Sequence, residues 1–189
     1  MVHTIHLLVY SMFRALLLLL VALVFAVNGK DAIPTVSQLD IQSYLGHWTL
    51  VYQSPTNWIF QGYGKCITAD YGLLDNGNIS VLNTQLNLKN ETEQISGYGY
   101  CADISEPGKL TIHLDGTPED APYWVVQLGE VKNDQYQYTI VTSPSGISLW
   151  VLVRDIASFF DLYDVEVVDF LHKYGFVYRP VSQTNCGDH

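Results

Sequence analysis

From residue 45 onward, apolar and polar positions alternate with a period of two over short runs separated by turn residues, the pattern of half-buried β-strands. The runs are 48–54, 63–74, 78–86, 93–103, 109–114, 122–130, 136–142 and 147–155, a count of eight. Asp75-Asn76-Gly77, Glu106-Pro107-Gly108, Asn133-Asp134 and Pro144-Ser145-Gly146 supply the turns, because Gly, Asn and Asp tolerate the left-handed backbone that tight hairpins need. Only 158–174 departs from this period. There Phe160, Tyr163, Val167, Phe170, Leu171 and Tyr174 recur at helical spacing and predict one buried helix face. The expected fold is all-β: an eight-stranded antiparallel up-and-down β-barrel with one C-terminal α-helix packed outside. A β-sandwich would show the same strand count.

The first 27 residues read differently. Arg14 precedes an apolar run from Ala15 to Val27 with five consecutive leucines, and Asn28, Gly29 and Lys30 follow it. Residues 1–26 are therefore expected to be a secretory signal peptide, with small residues around Val24-Phe25-Ala26 for cleavage. A membrane anchor starting near Ile5 would place Arg14 within a span that needs about 20 apolar residues. Residues 27–189 are long enough for one domain with its own core. The chain has 9 Lys+Arg against 19 Asp+Glu, a balance that disfavours nucleic acid and anionic membrane surfaces as partners. Its 13 tyrosines and 4 tryptophans combine apolar bulk with a polar tip, which suits the wall of a container for a greasy ligand.

Two motifs frame the strands: Gly46-His47-Trp48 at the start and Leu149-Trp150-Val151-Leu152-Val153-Arg154 near the end. In a closed sheet, an arginine leaving the last strand can lie across a tryptophan in the first and plug one end of the barrel. This pairing resembles the lipocalins. Cys66-Ile67-Thr68-Ala69-Asp70-Tyr71, Asn76 to Asn83, Glu106 to Leu110 and Ala121-Pro122-Tyr123-Trp124 are similar to the apolipoprotein D group within them. The resemblance runs from about Leu45 to Cys186. It implies a secreted, extracellular carrier of a small hydrophobic ligand such as a fatty acid, sterol, retinoid or bilin, with Gly46, Trp48 and Arg154 as the barrel plug and with room for receptor or lipoprotein contact.

The same resemblance places Tyr71 and Asn83 in the cavity. Alternation then adds Val81 and Gln85 to the face of Asn83, Trp150 and Leu152 to that of Arg154, and Leu50 and Tyr52 to that of Trp48. The expected ligand-binding set is Tyr71, Asn83, Trp150, Tyr52, Val81 and Gln85. Three cysteines follow the signal segment, so two should pair in an oxidising compartment. With Tyr71 facing in, Cys66 faces out, and the resemblance implies a Cys66–Cys186 disulfide to the C-terminal tail. Cys101 is left without an evident partner, because one disulfide usual in apolipoprotein D lacks its cysteines here. Asn78 and Asn90 head glycosylation tripeptides.

Signatures of catalysis are thin. There is no Gly-x-Ser-x-Gly, phosphate-cradling loop or His-Glu-x-x-His, and His47, His113 and His172 lie on separate predicted elements, so neither a metal nor another cofactor is expected. Two alternatives to the carrier remain. One is a thiol-dependent lipocalin isomerase using Cys101 as nucleophile, although no basic neighbour in sequence would activate it. The other is an extracellular interaction protein with a solidly packed barrel. Cys101 could also form an intermolecular disulfide.

Overall fold

The computed structural model of the protein describes residues 33–57 and 62–186. The expected signal segment, 1–26, and its junction with the domain lie outside these residues. The strands are β1 (Gly46–Gln53), β2 (Gly64–Leu73), β3 (Ile79–Asn87), β4 (Thr92–Cys101), β5 (Lys109–Leu114), β6 (Ala121–Leu128), β7 (Val131–Lys132), β8 (Gln135–Tyr136), β9 (Tyr138–Thr142), β10 (Leu149–Val153) and β11 (Arg179–Pro180). Helix α1 (Ile41–Tyr44) precedes β1, and α2 (Ile156–Leu162) and α3 (Asp164–Lys173) follow β10.

The sheet order β10-β9-β6-β5-β4-β3-β2-β1 closes on itself through antiparallel pairing of β10 with β1. Closure leaves no free edge along the barrel wall. The expected run 136–142 is divided at Gln137, because β8 turns back on β7 as a separate hairpin. Asn133 and Asp134 both take positive φ at its tip, 53° and 61°, the conformation of a tight two-residue hairpin turn.

Apolar residues form two clusters on opposite sides of the wall. The inner one includes Trp48, Leu50, Ile67, Ala69, Tyr71, Val81, Leu110, Val125 and Val141. The outer one joins Val51, Tyr138, Ile140, Val151 and Val153 to Phe159, Tyr163, Val167 and Leu171. Strand alternation therefore sends one set into the barrel and the other under the helices. Each fully buried side chain of this size contributes about 1.5–3 kcal/mol.

The helical segment corrects the expectation in two respects. It is two helices, separated at Tyr163, whose φ of -121° leaves the helical region. Its buried stripe is Phe159, Tyr163, Val167 and Leu171, a run of four-residue steps, whereas Phe160 is 48% exposed. Asp155 caps the first helix by accepting from the Ser158 N–H. Phenol-to-carboxylate bonds help fasten the pair to the barrel. Tyr52 donates to Asp164 at 2.8 Å, Tyr138 to Glu166 at 2.6 Å and Tyr163 to Glu130 at 2.7 Å.

Those contacts expose a third correction. Tyr52 does not face the barrel interior. A bulge in β1 between Leu50 and Tyr52 shifts the register against β10, so Val51 and Tyr52 both turn toward the helices. Beyond the bulge the phase is reversed, and Gln53 lies opposite the inward-facing Trp150.

A second bulge in β2 falls between Lys65 and Thr68, where Cys66 takes a φ of 52°. The C-terminal tail fills the gap opened there. Strand β11 pairs with the end of β1, Val181 N–H donates to the Val51 carbonyl, and Cys66 N–H donates to the Ser182 carbonyl. A Cys66–Cys186 disulfide fixes the tail across a sequence separation of 120. In the chain-entropy description, a loop of this size stabilises the fold by about 4–5 kcal/mol. Replacing both cysteines with serine should accordingly lower the thermal midpoint by many degrees with native-like strand content retained below it. A midpoint unchanged from wild type, measured by circular dichroism, would show that tail pairing alone fixes the C-terminus.

Candidate functional site

The barrel interior is floored at one end. Trp48 in β1 is fully buried, and the Arg154 guanidinium lies over its ring with Cζ 3.6 Å from the centroid. Arg154 Nη2 donates to the carbonyls of Ser43, Tyr44 and Leu45, at 3.2, 3.2 and 2.8 Å. These are carbonyls at the end of α1, where a helix leaves acceptors unpaired and favours positive charge. Nη1 donates to His47 and Nε to Tyr136. Burial lowers the guanidinium pKa to about 10, so it remains cationic at neutral pH. Gly46 completes the plug with a φ of +97°, and a side chain there would approach Gln135 and Arg154.

Above this floor stands a chain of hydroxyls. Tyr44 and Tyr123 share a hydrogen bond of 2.8 Å, Tyr71 and Tyr123 share one of 3.0 Å, and Tyr44 donates to Thr139. Burial pushes Tyr71 up to about 12 and holds Tyr44 and Tyr123 far above the ordinary phenol range. All three are neutral donors and acceptors in an apolar setting, so satisfied polarity at the floor does not introduce charge.

The strand registers place the other residues on the same inner surface. Tyr71 is opposite Val81, which is opposite Gly97; Ala69 is opposite Asn83, which is opposite Ile95. Trp150 pairs with Gln53 and Val141, and Val141 with Val125. Gln85 is two residues beyond Asn83 and donates to Glu93 at 3.0 Å. The structure thus brings Tyr71, Val81, Asn83, Gln85 and Trp150 to one surface and puts Tyr52 outside it. Tyr44, Gln53, Tyr123 and Thr139 join the set. Tyr123 shares its face with Val125 by simple alternation, a signal present in the sequence; Tyr44 lies in a four-residue helix with no period to read.

Asn83, Ile95, Ile112, Tyr123 and Trp150 face inward, yet each keeps partial accessible surface. An inward residue on a closed barrel retains such surface only where space adjoins it. The floor is tightly packed, while part of the wall above it keeps accessible surface. Mostly apolar walls with few polar groups are suited to hold a greasy molecule and orient it.

The remaining sequence candidates lie elsewhere. Cys101 is a free, exposed thiol at the end of β4, donating to the Asp103 carbonyl. Asn90 is exposed at the β3–β4 turn and Asn78 is half-buried beside the preceding one. His113 pairs with Asp120 at 2.8 Å and stacks on Tyr98. Among the described residues no His, Cys, Asp or Glu cluster could hold a metal ion.

A lipocalin-like domain model matches residues 39–166. Apolipoprotein D of Mus musculus is 34% identical over 116 residues, 61% of this chain and 57% of that protein, so the chain spans less than two thirds of that relative. Apolipoprotein D of Macaca fascicularis is 34% identical over 135 residues, 67% of each chain. Among solved structures, the cockroach allergen Per a 4 superposes with a TM-score of 0.59 at 22% identity, over 82% of this chain and 98% of that one. Apocrustacyanin C2 gives 0.60 at 16% identity, over 77% of this chain and 81% of that one.

The floor yields a direct test. Replacing Arg154 with alanine removes the cation over Trp48 and strands a group of carbonyls, at a cost of roughly 3 kcal/mol or more. Arg154→Lys should recover only part of it, since one ammonium cannot span the same acceptors. Denaturant unfolding that gave wild-type stability for both variants would show that the plug does not hold the floor.

Proposed function

The chain belongs to the lipocalin-like family, and from that premise we propose that it is a secreted, extracellular carrier holding one small, mainly apolar ligand inside its barrel. The observation that carries this reading is the partial accessibility of inward-facing Asn83, Ile95, Ile112 and Trp150 above a tightly closed floor. A barrel serving only as a rigid interaction surface would gain stability by filling that space. Fatty acids, sterols, retinoids and bilin-like molecules suit its mainly apolar lining. The name apolipoprotein, borne by the relatives, ties those proteins to lipid and agrees with this choice.

Extracellular destination rests on the apolar segment 15–27 and on the Cys66–Cys186 disulfide, a bond that persists in oxidising compartments. The carrier acts without catalysis in this reading. Cys101, the thiol an isomerase would use, is exposed to solvent rather than enclosed with the ligand. That exposure instead leaves it available for a disulfide to another chain. Asn90, exposed at a turn, is the better placed of the two glycan acceptors.

Titration with a long-chain fatty acid or retinoid should quench tryptophan fluorescence saturably, because Trp150 lines the interior. Trp150→Ala should weaken binding by about 1–3 kcal/mol through lost apolar contact. Asn83→Asp, which adds a charge inside, should weaken it by about tenfold or more. Ser80→Asp on the opposite face of β3 should not. Equal effects of the two aspartates, or no saturable binding by any of the ligand classes, would overturn the carrier reading.

A further inference from the structure

The chain contains three arginines, of which Arg154 and Arg179 lie among the described residues. Their surroundings differ sharply. Arg154 donates to five backbone carbonyls. The Arg179 side chain has no hydrogen-bond partner among the described residues, and its Nε is buried. Ion pairs among the described residues are His47–Asp70, Lys109–Glu106 and His113–Asp120, so no described carboxylate pairs with Arg179.

Its place in the sheet gives that guanidinium a direction. Arg179 pairs with Gln53, Gln53 with Trp150, Trp150 with Val141, and Val141 with Val125. Residues directly opposite in an antiparallel ladder share a face, and Trp150, Val141 and Val125 belong to the inner cluster. Arg179 is therefore on the inner face. Gln53 ends β1, seven residues beyond Gly46, which sets this row roughly 20 Å from the floor at the rise of a strand. The segment is held firmly: Val181 N–H donates to the Val51 carbonyl, the Ser182 carbonyl accepts from Cys66 N–H, and the disulfide lies beyond them.

A guanidinium is costly to bury with an unmet N–H. A carboxylate offers two oxygens matched to its fork and would satisfy Nε together with one Nη. The geometry points to a monocarboxylate with a long apolar tail as the ligand class, its head on Arg179 near the mouth and its tail over the partly accessible Trp150 toward Tyr123. This assignment rests on the carrier reading and narrows it: sterols and other uncharged lipids lack the head that Arg179 selects. The acidic balance of the whole chain does not oppose it, because at contact distance a partly buried cation outweighs screened charges farther away.

Hexadecanoic acid and hexadecan-1-ol, matched in chain length, separate head from tail in a fluorescence titration at neutral pH. Wild type should bind the acid about tenfold or more tightly than the alcohol, the ratio a charge-assisted bond supplies. Arg179→Gln should bind the acid no more tightly than the alcohol, and Arg179→Lys should keep part of the preference. Equal wild-type affinities would overturn the assignment and leave the carrier intact, as would a glutamine variant that retained the preference. Binding of neither molecule would overturn the assignment, and the carrier reading would fall with it only if sterol, retinoid and bilin also failed to bind. The wild-type comparison stands even where a variant folds poorly.

Discussion

The guanidinium of Arg154 over the Trp48 ring is the contact on which the container depends. It joins the first strand of the barrel to the end of the last, and in the same position takes up the terminal carbonyls of α1. Without that cation, the Ser43 carbonyl would lose its Arg154 donor, and the Tyr44 and Leu45 carbonyls would keep only those from Trp48 Nε1 and Gln135, beneath the hydroxyl chain from Tyr44 to Tyr123, Tyr71 and Thr139. Packing and polarity are both satisfied at this end. The opposite end is therefore free to leave inward residues partly uncovered without loss of a packed floor.

How far the sequence reveals this depends on how long strand alternation runs uninterrupted. Trp48, Leu50, Trp150, Leu152 and Arg154 could be phased correctly because no bulge intervenes among them within each strand. Tyr52 could not, since the extra residue at Val51 reverses the phase and sends it beneath α2 and α3. The bulge carries no glycine or proline signal. In β2 regular pairing resumes at Thr68, so a count taken back from Tyr71 through Ala69 holds. The helix was legible as a type but not in detail: aromatic residues at both 159 and 160 give two competing stripes, and only the barrel surface decides for Phe159. Tyr44 was invisible because a single turn of helix has no period.

The outer face and the C-terminal tail make the interior more defined. Phenol-to-carboxylate bonds fasten the helices to strands β1 and β9 and to Glu130 just beyond β6, and the tail fills the place where β2 bends away from β1. That repair also carries Arg179 to the mouth. A covalent staple between Cys66 and Cys186 thus stabilises the fold and sets the position of a charged group at the open end. The lipocalin frame consequently presents two arginines in opposite roles: one saturated and structural at the floor, one unsaturated at the rim.

The central claim is that the space between those two arginines receives the ligand. A crystal of the protein grown with a fatty acid brominated at its tail end locates the tail by anomalous scattering without reference to any assay of affinity. The account predicts a bromine peak within the barrel, between Trp150 and Tyr123 and above the Arg154 floor. Bromine found only on the outer surface, with side chains filling the barrel interior, would contradict it.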